Sequence, residues 1–189
     1  MIGIVDCGSG NIASVRLAFD RLGVPTDIRT LPDVSDLQAL VLPGQGRFGT
    51  VMNALTERGW DDVLKGWIEA DRKFLGICVG MQVLFEGSEE DPGVSGLGML
   101  TGTVKRLRAP KNPMMGWARV CWRDSIFSDG SAFFVNGYAV AKSDVCCATT
   151  EYGEPFCCAV QRGHMFATQF HPEKSGKWGQ EVLRQWINS

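Results

Sequence analysis

Seven cysteines and two histidines are scattered along this 189-residue chain, and one pairing among them could carry covalent chemistry. Cys78 stands at the centre of Gly76-Ile77-Cys78-Val79-Gly80. Small residues on both sides of a strand-to-helix junction let the backbone turn sharply, the geometry of a nucleophile elbow with Cys in place of Ser. Such a turn lifts the thiol above a sheet edge and sets it at a helix start, where free N–H groups and the macrodipole favour a charged sulfur. The backbone N–H of Val79 then points where the oxyanion of a tetrahedral intermediate would form. The same five residues also fit a buried structural cysteine between two packing glycines.

A thiol nucleophile needs a base. His171 lies in Gln169-Phe170-His171-Pro172-Glu173-Lys174-Ser175, just past the end of an apolar run. Pro172 fixes the backbone there, and Glu173 can accept a hydrogen bond from the ring. Nucleophile, base and orienter then follow in the order Cys, His, Glu. His164, in Arg162-Gly163-His164, reads instead as an exposed residue of a hairpin turn. A third segment, Leu42-Pro43-Gly44-Gln45-Gly46-Arg47-Phe48, follows another apolar run. Gly44 and Gly46 leave the amides around Gln45 free to act as a second oxyanion donor, and a phosphate-binding turn is the rival use of so short a loop. Flanking glycines make a peptide flip inexpensive, whereas holding Gln45 itself in an unfavourable conformation would cost about 1–3 kcal/mol, which docking of a partner with its ligand could offset.

These segments need a scaffold that brings them to one edge. Ile2 to Val5 reads as a strand, followed by a helical pattern from Ile12 to Leu22 that Gly23 stops. Val24 to Arg29, Ala39 to Leu42 and Lys73 to Ile77 read as further strands. Helical spacing returns over Phe48 to Leu55 and Trp60 to Ala70, and Val79 to Phe85 begins another helix. This alternation predicts an α/β fold with a mostly parallel central sheet. After Gly93, short strands over Val104 to Leu107, Gly116 to Trp122, Ala132 to Val135, Val145 to Thr149, Cys157 to Gln161 and Phe166 to Phe170 predict an antiparallel extension. Lys174 to Ile187 closes the chain as an amphipathic helix. No linker or repeat divides residues 1–189, so one domain is expected.

Composition narrows the function classes. Lys and Arg number 19 against 21 Asp and Glu, a net charge of −2 with no basic stripe, which argues against a nucleic-acid binder. The longest nearly apolar run, Phe74 to Phe85, spans 12 residues and is too short to cross a bilayer. The opening Met-Ile-Gly-Ile-Val-Asp carries no basic n-region, so no secretory signal is visible and a cytoplasmic protein is expected. An odd cysteine count does not suit a disulfide framework. The pairs Cys146-Cys147 and Cys157-Cys158 lack zinc-ligand spacing and read as small apolar residues on a hairpin turning near Glu151 to Glu154. Neither a metal nor a cofactor is called for.

The elbow Gly76-Ile77-Cys78-Val79-Gly80-Met81-Gln82, the His171-Pro172-Glu173 segment and the Pro43-Gly44-Gln45-Gly46 loop together resemble class I, triad-type glutamine amidotransferases. Within that class, three segments are similar to the glutaminase subunits of imidazole glycerol phosphate synthase. They are Val5-Asp6-Cys7-Gly8-Ser9-Gly10-Asn11 with Ser14-Val15, Pro113-Met114-Met115-Gly116-Trp117, and Phe170 to Ser175. The resemblance implies a flavodoxin-like amidotransferase fold that hydrolyses L-glutamine and passes ammonia to a separate (β/α)8-barrel cyclase subunit, in a heterodimer of histidine biosynthesis. It implies Cys78 as nucleophile, His171 as base and then acid, and Glu173 as orienter. Val79 with Gly44, Gln45 and Gly46 would form the oxyanion hole, and Gln82 with Asn136, Gly137 and Tyr138 would hold the glutamine head group. It also implies a slow free subunit that the cyclase and its ligand accelerate.

Departures from the family pattern mark where this chain differs. Asn136-Gly137 stands where a His-Ser type pair precedes the Tyr, Met114 where a His is usual, and Ala118 where an Asn is usual. The last two bear on the surface expected to face the cyclase. Two alternatives stay open: a paralogous amidotransferase feeding a related barrel synthase, for example in surface-sugar amination, and a non-catalytic relative that keeps the fold for binding or regulation. The intact Cys78, His171 and Glu173 argue against the second.

Overall fold

The computed structural model describes residues 1–8, 10–123 and 127–189, so Ser9 of the Gly8-Ser9-Gly10 segment lies outside the described residues. Ile2–Val5 forms strand β1, buried on both faces as its unbroken apolar run requires. Helix α1 (Ile12–Asp20) follows, its first turn capped by Asn11, whose Oδ1 accepts from the Ser14 N–H at 3.2 Å. Strands β2 (Thr26–Arg29) and β3 (Ala39–Gly44) lie on either side of β1, both parallel to it. Helices α2 (Phe48–Glu57) and α3 (Trp60–Glu69) then lead to β4 (Lys73–Cys78), which runs parallel to β3 with Gly44 opposite Cys78.

After β4 the chain makes a short helix α4 (Val79–Gln82) and strands β5 (Phe85–Ser88), β6 (Leu100–Arg106), β7 (Met114–Trp122), β8 (Gly130–Asn136) and β9 (Tyr138–Ala139). A hairpin of β10 (Cys146–Tyr152) and β11 (Glu154–Arg162), strand β12 (Met165–Thr168), a 3-10 turn over Pro172–Lys174 and helix α5 (Gly176–Asn188) complete it. The nine-stranded sheet has the order β2-β1-β3-β4-β12-β11-β10-β7-β8. Its first five strands are parallel, and β11, β10, β7 and β8 add on antiparallel, so the central sheet is mixed as expected, but Phe166 to Phe170, expected in the antiparallel extension, supplies β12, the fifth parallel strand beside β4. A smaller sheet, β5-β6-β9, stands beside it.

Several boundaries differ from the sequence reading. The helix expected over Val79 to Phe85 stops at Gln82. The carbonyls of Val83, Leu84 and Glu86 accept from the N–H groups of Leu97, Leu100 and Gly96, so they are taken by a distant segment instead of the next helical turn. Gly96 permits that approach, because a Cβ there would lie 2.0 Å from the Phe85 carbonyl oxygen. The hairpin expected around Glu151 to Glu154 is present, with Tyr152 paired to Glu154, and none of the seven cysteines is in a disulfide.

Apolar residues of the sheet and helices form a continuous core, in which Phe19 of α1 meets Trp186 of α5 edge-on at 6.0 Å. Both chain ends lie at the edge where the parallel strands begin. The Met1 ammonium donates to Gln38 Oε1 at 2.8 Å, and Lys73, the first residue of β4, donates to the carbonyls of Ile187 and Ser189. Met1 and Ile187 line one hollow there. Cys78 ends β4 at the opposite edge. Among the described residues, no helix is long and apolar enough to cross a membrane.

Candidate functional site

The backbone at Cys78 has φ 57° and ψ −112°, and Asp71 is the other non-glycine residue with positive φ among those described. Such a conformation costs about 1–3 kcal/mol and persists where the surroundings over-determine it. Three glycines do so here. A Cβ at Gly76 would lie 2.6 Å from the Gly80 carbonyl oxygen, one at Gly80 2.0 Å from the Leu42 carbonyl oxygen, and one at Gly44 2.5 Å from the Gly80 nitrogen. β3, β4 and α4 therefore interlock backbone to backbone, and the turn between them carries the sulfur.

A cavity of about 290 Å³ opens beside that sulfur. Cys78, Val79, Gln45, Gly46 and His171 line it, and Gln82, Asn136, Gly137 and Tyr138 line it as well. Gly44 is not part of the lining; it supports the elbow from behind. In the free chain the positive φ of this loop (100°) falls on Gly46, which has no side chain to clash, and not on Gln45. A phosphate-binding turn is disfavoured. The N–H groups of Phe48 and Gly49, at the start of α2, are occupied by the carboxylates of Glu90 (2.9 Å) and Asp91 (2.8 Å), whose charge would repel a phosphate.

His171 follows β12 and joins the sheet through its own N–H, which donates to the Phe133 carbonyl at 2.9 Å. Ser175 fixes it from below, donating to the His171 carbonyl at 2.6 Å and accepting from the Phe133 N–H at 3.0 Å. The Pro172–Lys174 turn folds Glu173 back under the ring, so Glu173 Oε1 sits 2.8 Å from His171 Nδ1. Cys78 lines the same cavity as the ring and acts on its charge. Burial of the ring opposes its charge, but the hydrogen bonds and charges of Cys78 and Glu173 outweigh it, and the pKa is pushed up to about 10. An imidazolium beside the sulfur is thus the favoured arrangement at neutral pH. The other carboxylate oxygen of Glu173, Oε2, is buried without a hydrogen-bond partner among the described residues.

The head-group residues are more tied down than their types suggested. Gln82 Nε2 donates to the Tyr138 carbonyl at 3.1 Å and to Gln169 Oε1 at 2.9 Å, which leaves its own oxygen for the cavity. Asn136 Nδ2 donates to the same Tyr138 carbonyl at 3.1 Å, and Asn136 Oδ1 has no partner among the described residues. The glycine at 137 has a local cause. A Cβ there would lie 2.6 Å from Asn112 Oδ1, whose amide nitrogen donates to the Gly137 carbonyl at 2.9 Å. Met114 is buried, so that departure repacks the interior of the sheet and not the surface expected to face the cyclase, while Ala118 is half-buried against the core.

Three polar residues of the site were missed from sequence. Glu90 and Lys174 line the cavity, and Gln169, fully buried, brings Nε2 to 3.7 Å from Cys78 Sγ. Gln169 had a legible signal, a polar residue inside an apolar strand end next to His171. Glu90 had none, since it stands in the acidic run Glu89-Glu90-Asp91. His164 lies where expected, exposed at a hairpin turn and 3.0 Å from Asp71, at the far edge from Cys78. Among the described residues, no three His, Cys, Asp or Glu are placed to hold a metal ion.

A family model for "Glutamine amidotransferase class-I" matches residues 3–188. "Imidazole glycerol phosphate synthase subunit HisH" of Methanothermobacter thermautotrophicus is 41% identical over 195 residues, covering 99% of this chain and 98% of the relative. The protein of the same description from Desulfitobacterium hafniense is 38% identical over 201 residues, covering 100% of this chain and 95% of its own. A solved structure described as a glutamine amidotransferase superposes with a TM-score of 0.82 at 20% identity, covering 99% of this chain and 97% of that one. Sequence match over nearly the whole length and the shared fold agree with the interlocked elbow and its cavity: the chain belongs to the class-I glutamine amidotransferases.

Proposed function

We propose that this chain is the glutaminase subunit of an imidazole glycerol phosphate synthase, releasing ammonia from L-glutamine for a (β/α)8-barrel cyclase partner in histidine biosynthesis. The observation that carries the chemistry is the meeting of Cys78 and His171 at one cavity, with Glu173 against the far side of the His171 ring and Cys78 held in a strained turn. Glutamine enters with its side-chain carboxamide over the sulfur. Its ammonium group is complementary to the Glu90 carboxylate and the Gln82 oxygen, both at the cavity wall. Cys78 sulfur attacks the carboxamide carbon, and the carbonyl electrons move onto oxygen, stabilised by backbone N–H groups of Val79 and the Gln45–Gly46 loop. His171 gives its proton to the departing nitrogen, ammonia leaves, and a thioester remains. His171 then takes a proton from water as that water attacks the thioester, and glutamate is released as the Cys78–carbon bond breaks.

The site of partner docking follows from the surface beside the cavity. Met115 (70% exposed) and Trp117 (59% exposed) project from β7, opposite Val135 and Phe133 of β8, and Val135 and Pro113 also line the cavity. An apolar face continuous with the cavity wall suits a partner that receives a small product before it escapes to water. With the barrel partner present, Cys78→Ala abolishes synthesis driven by glutamine and spares synthesis driven by added ammonium salt. Loss of both activities together, in a variant that still binds the partner, would overturn the assignment.

A further inference from the structure

Taking Cys78 as the nucleophile proposed above, we propose that Gln169 is a positioning residue whose side-chain amide donates to the Cys78 sulfur and is locked in that orientation by Gln82. An amide side chain has two orientations, with oxygen and nitrogen exchanged. Gln82 Nε2 sits 2.9 Å from Gln169 Oε1, and its other proton is used at 3.1 Å by the Tyr138 carbonyl. Reversing Gln169 would set one NH2 group against another and turn a carbonyl oxygen towards the sulfur. The lock therefore keeps Nε2 of Gln169, 3.7 Å from Cys78 Sγ, as the group that meets the nucleophile. Gln169 is fully buried and Gln82 nearly so, which removes water as a substitute partner for either amide.

The sulfur's surroundings show why such a donor matters. As a thiol, Cys78 donates to the Val135 carbonyl, 3.8 Å away. Once the proton has left, that carbonyl dipole opposes the charge it formerly accepted from. Helix α4 behind the sulfur has four residues, so its dipole offers little compensation. His171, with Glu173 behind it, supplies a positive charge in the same cavity, and Glu90 and Lys174 stand at the cavity wall. The Gln169 amide adds a neutral donor in a fixed direction, one that keeps its proton throughout the reaction. A hydrogen bond to a charged group is stronger than one between neutral groups, so this contact gains strength as the sulfur ionises and steadies it in line for attack.

The test compares Gln169→Met, of similar length without the donor, with Gln82→Met, which leaves the donor but frees its orientation. Iodoacetamide labelling of Cys78 at fixed pH is followed by peptide mass spectrometry, alongside kcat and KM for glutamine hydrolysis by the full chain. Gln169→Met should slow labelling and lower kcat by about tenfold with KM little changed, and Gln82→Met should slow labelling by a smaller factor. A folded Gln169→Met that is labelled at the wild-type rate overturns the inference. Should Gln169→Met fail to fold, wild-type labelling in Gln82→Met overturns it equally. Wild-type Cys78 reacting no faster than exposed Cys121 would remove the nucleophile assignment itself, an outcome distinct from failure of the Gln169 role alone.

Discussion

His171 is held between two groups that want it charged, and that pins down how it should titrate. Burial pulls its pKa down, while Cys78 and Glu173 push it up to about 10. Replacing Cys78 by Ala removes what the sulfur contributes to the ring's charge and leaves the burial. The His171 ring signal in an NMR titration should therefore reach its midpoint well below that of the wild type. An unchanged midpoint would mean that Glu173 alone sets the ring's charge. Cys78, His171 and Glu173 were legible in the sequence because each is written in a local pattern: glycines around a thiol, and a proline and carboxylate just after a histidine. The role of Gln169 was not: a polar residue at an apolar strand end was visible, but its chemistry lies in partners 87 and 91 positions away along the chain, a separation no spacing rule covers.

Helix α2 shows the same limit among elements. Its sequence periodicity was legible, but its N-terminus is capped from 42 residues away by Glu90 and Asp91, with Arg47 bridging to Asp91. Arg47 and the Gly49 N–H hold the Asp91 carboxyl below its ordinary value of 3.8. Asp91→Ala should cost about 1 kcal/mol at pH 7, as for loss of an N-cap. A lowered pKa in the folded state contributes stability above the unfolded value and loses it as pH falls through the folded one. The gap between wild type and variant should accordingly close below about pH 3.8 in urea unfolding. A gap that persists in acid would place its origin in packing. The α4 helix was overread for a related reason: Val83 and Leu84 are as apolar as a helix needs, yet their carbonyls are claimed by residues 97 and 100.

Across the whole molecule, a parallel start with an antiparallel extension was legible from alternating patterns, whereas strand order was not: β12, read as part of the extension, inserts as the parallel neighbour of β4 from a distant part of the chain. That insertion brings His171 to the edge where β4 ends at Cys78. The same edge carries Met115 and Trp117 beside the cavity. Trp117→Ala should weaken binding of the proposed barrel partner by at least about thirtyfold without lowering the melting temperature, since the ring is already 59% exposed. Titration calorimetry decides it, and equal affinity would move the docking face elsewhere. The hollow shared by Met1 and Ile187 at the opposite edge has a practical side. A tether fixed to either end of the chain would hold the molecule on a bead or sensor chip with its reactive mouth facing outward into the flowing solution.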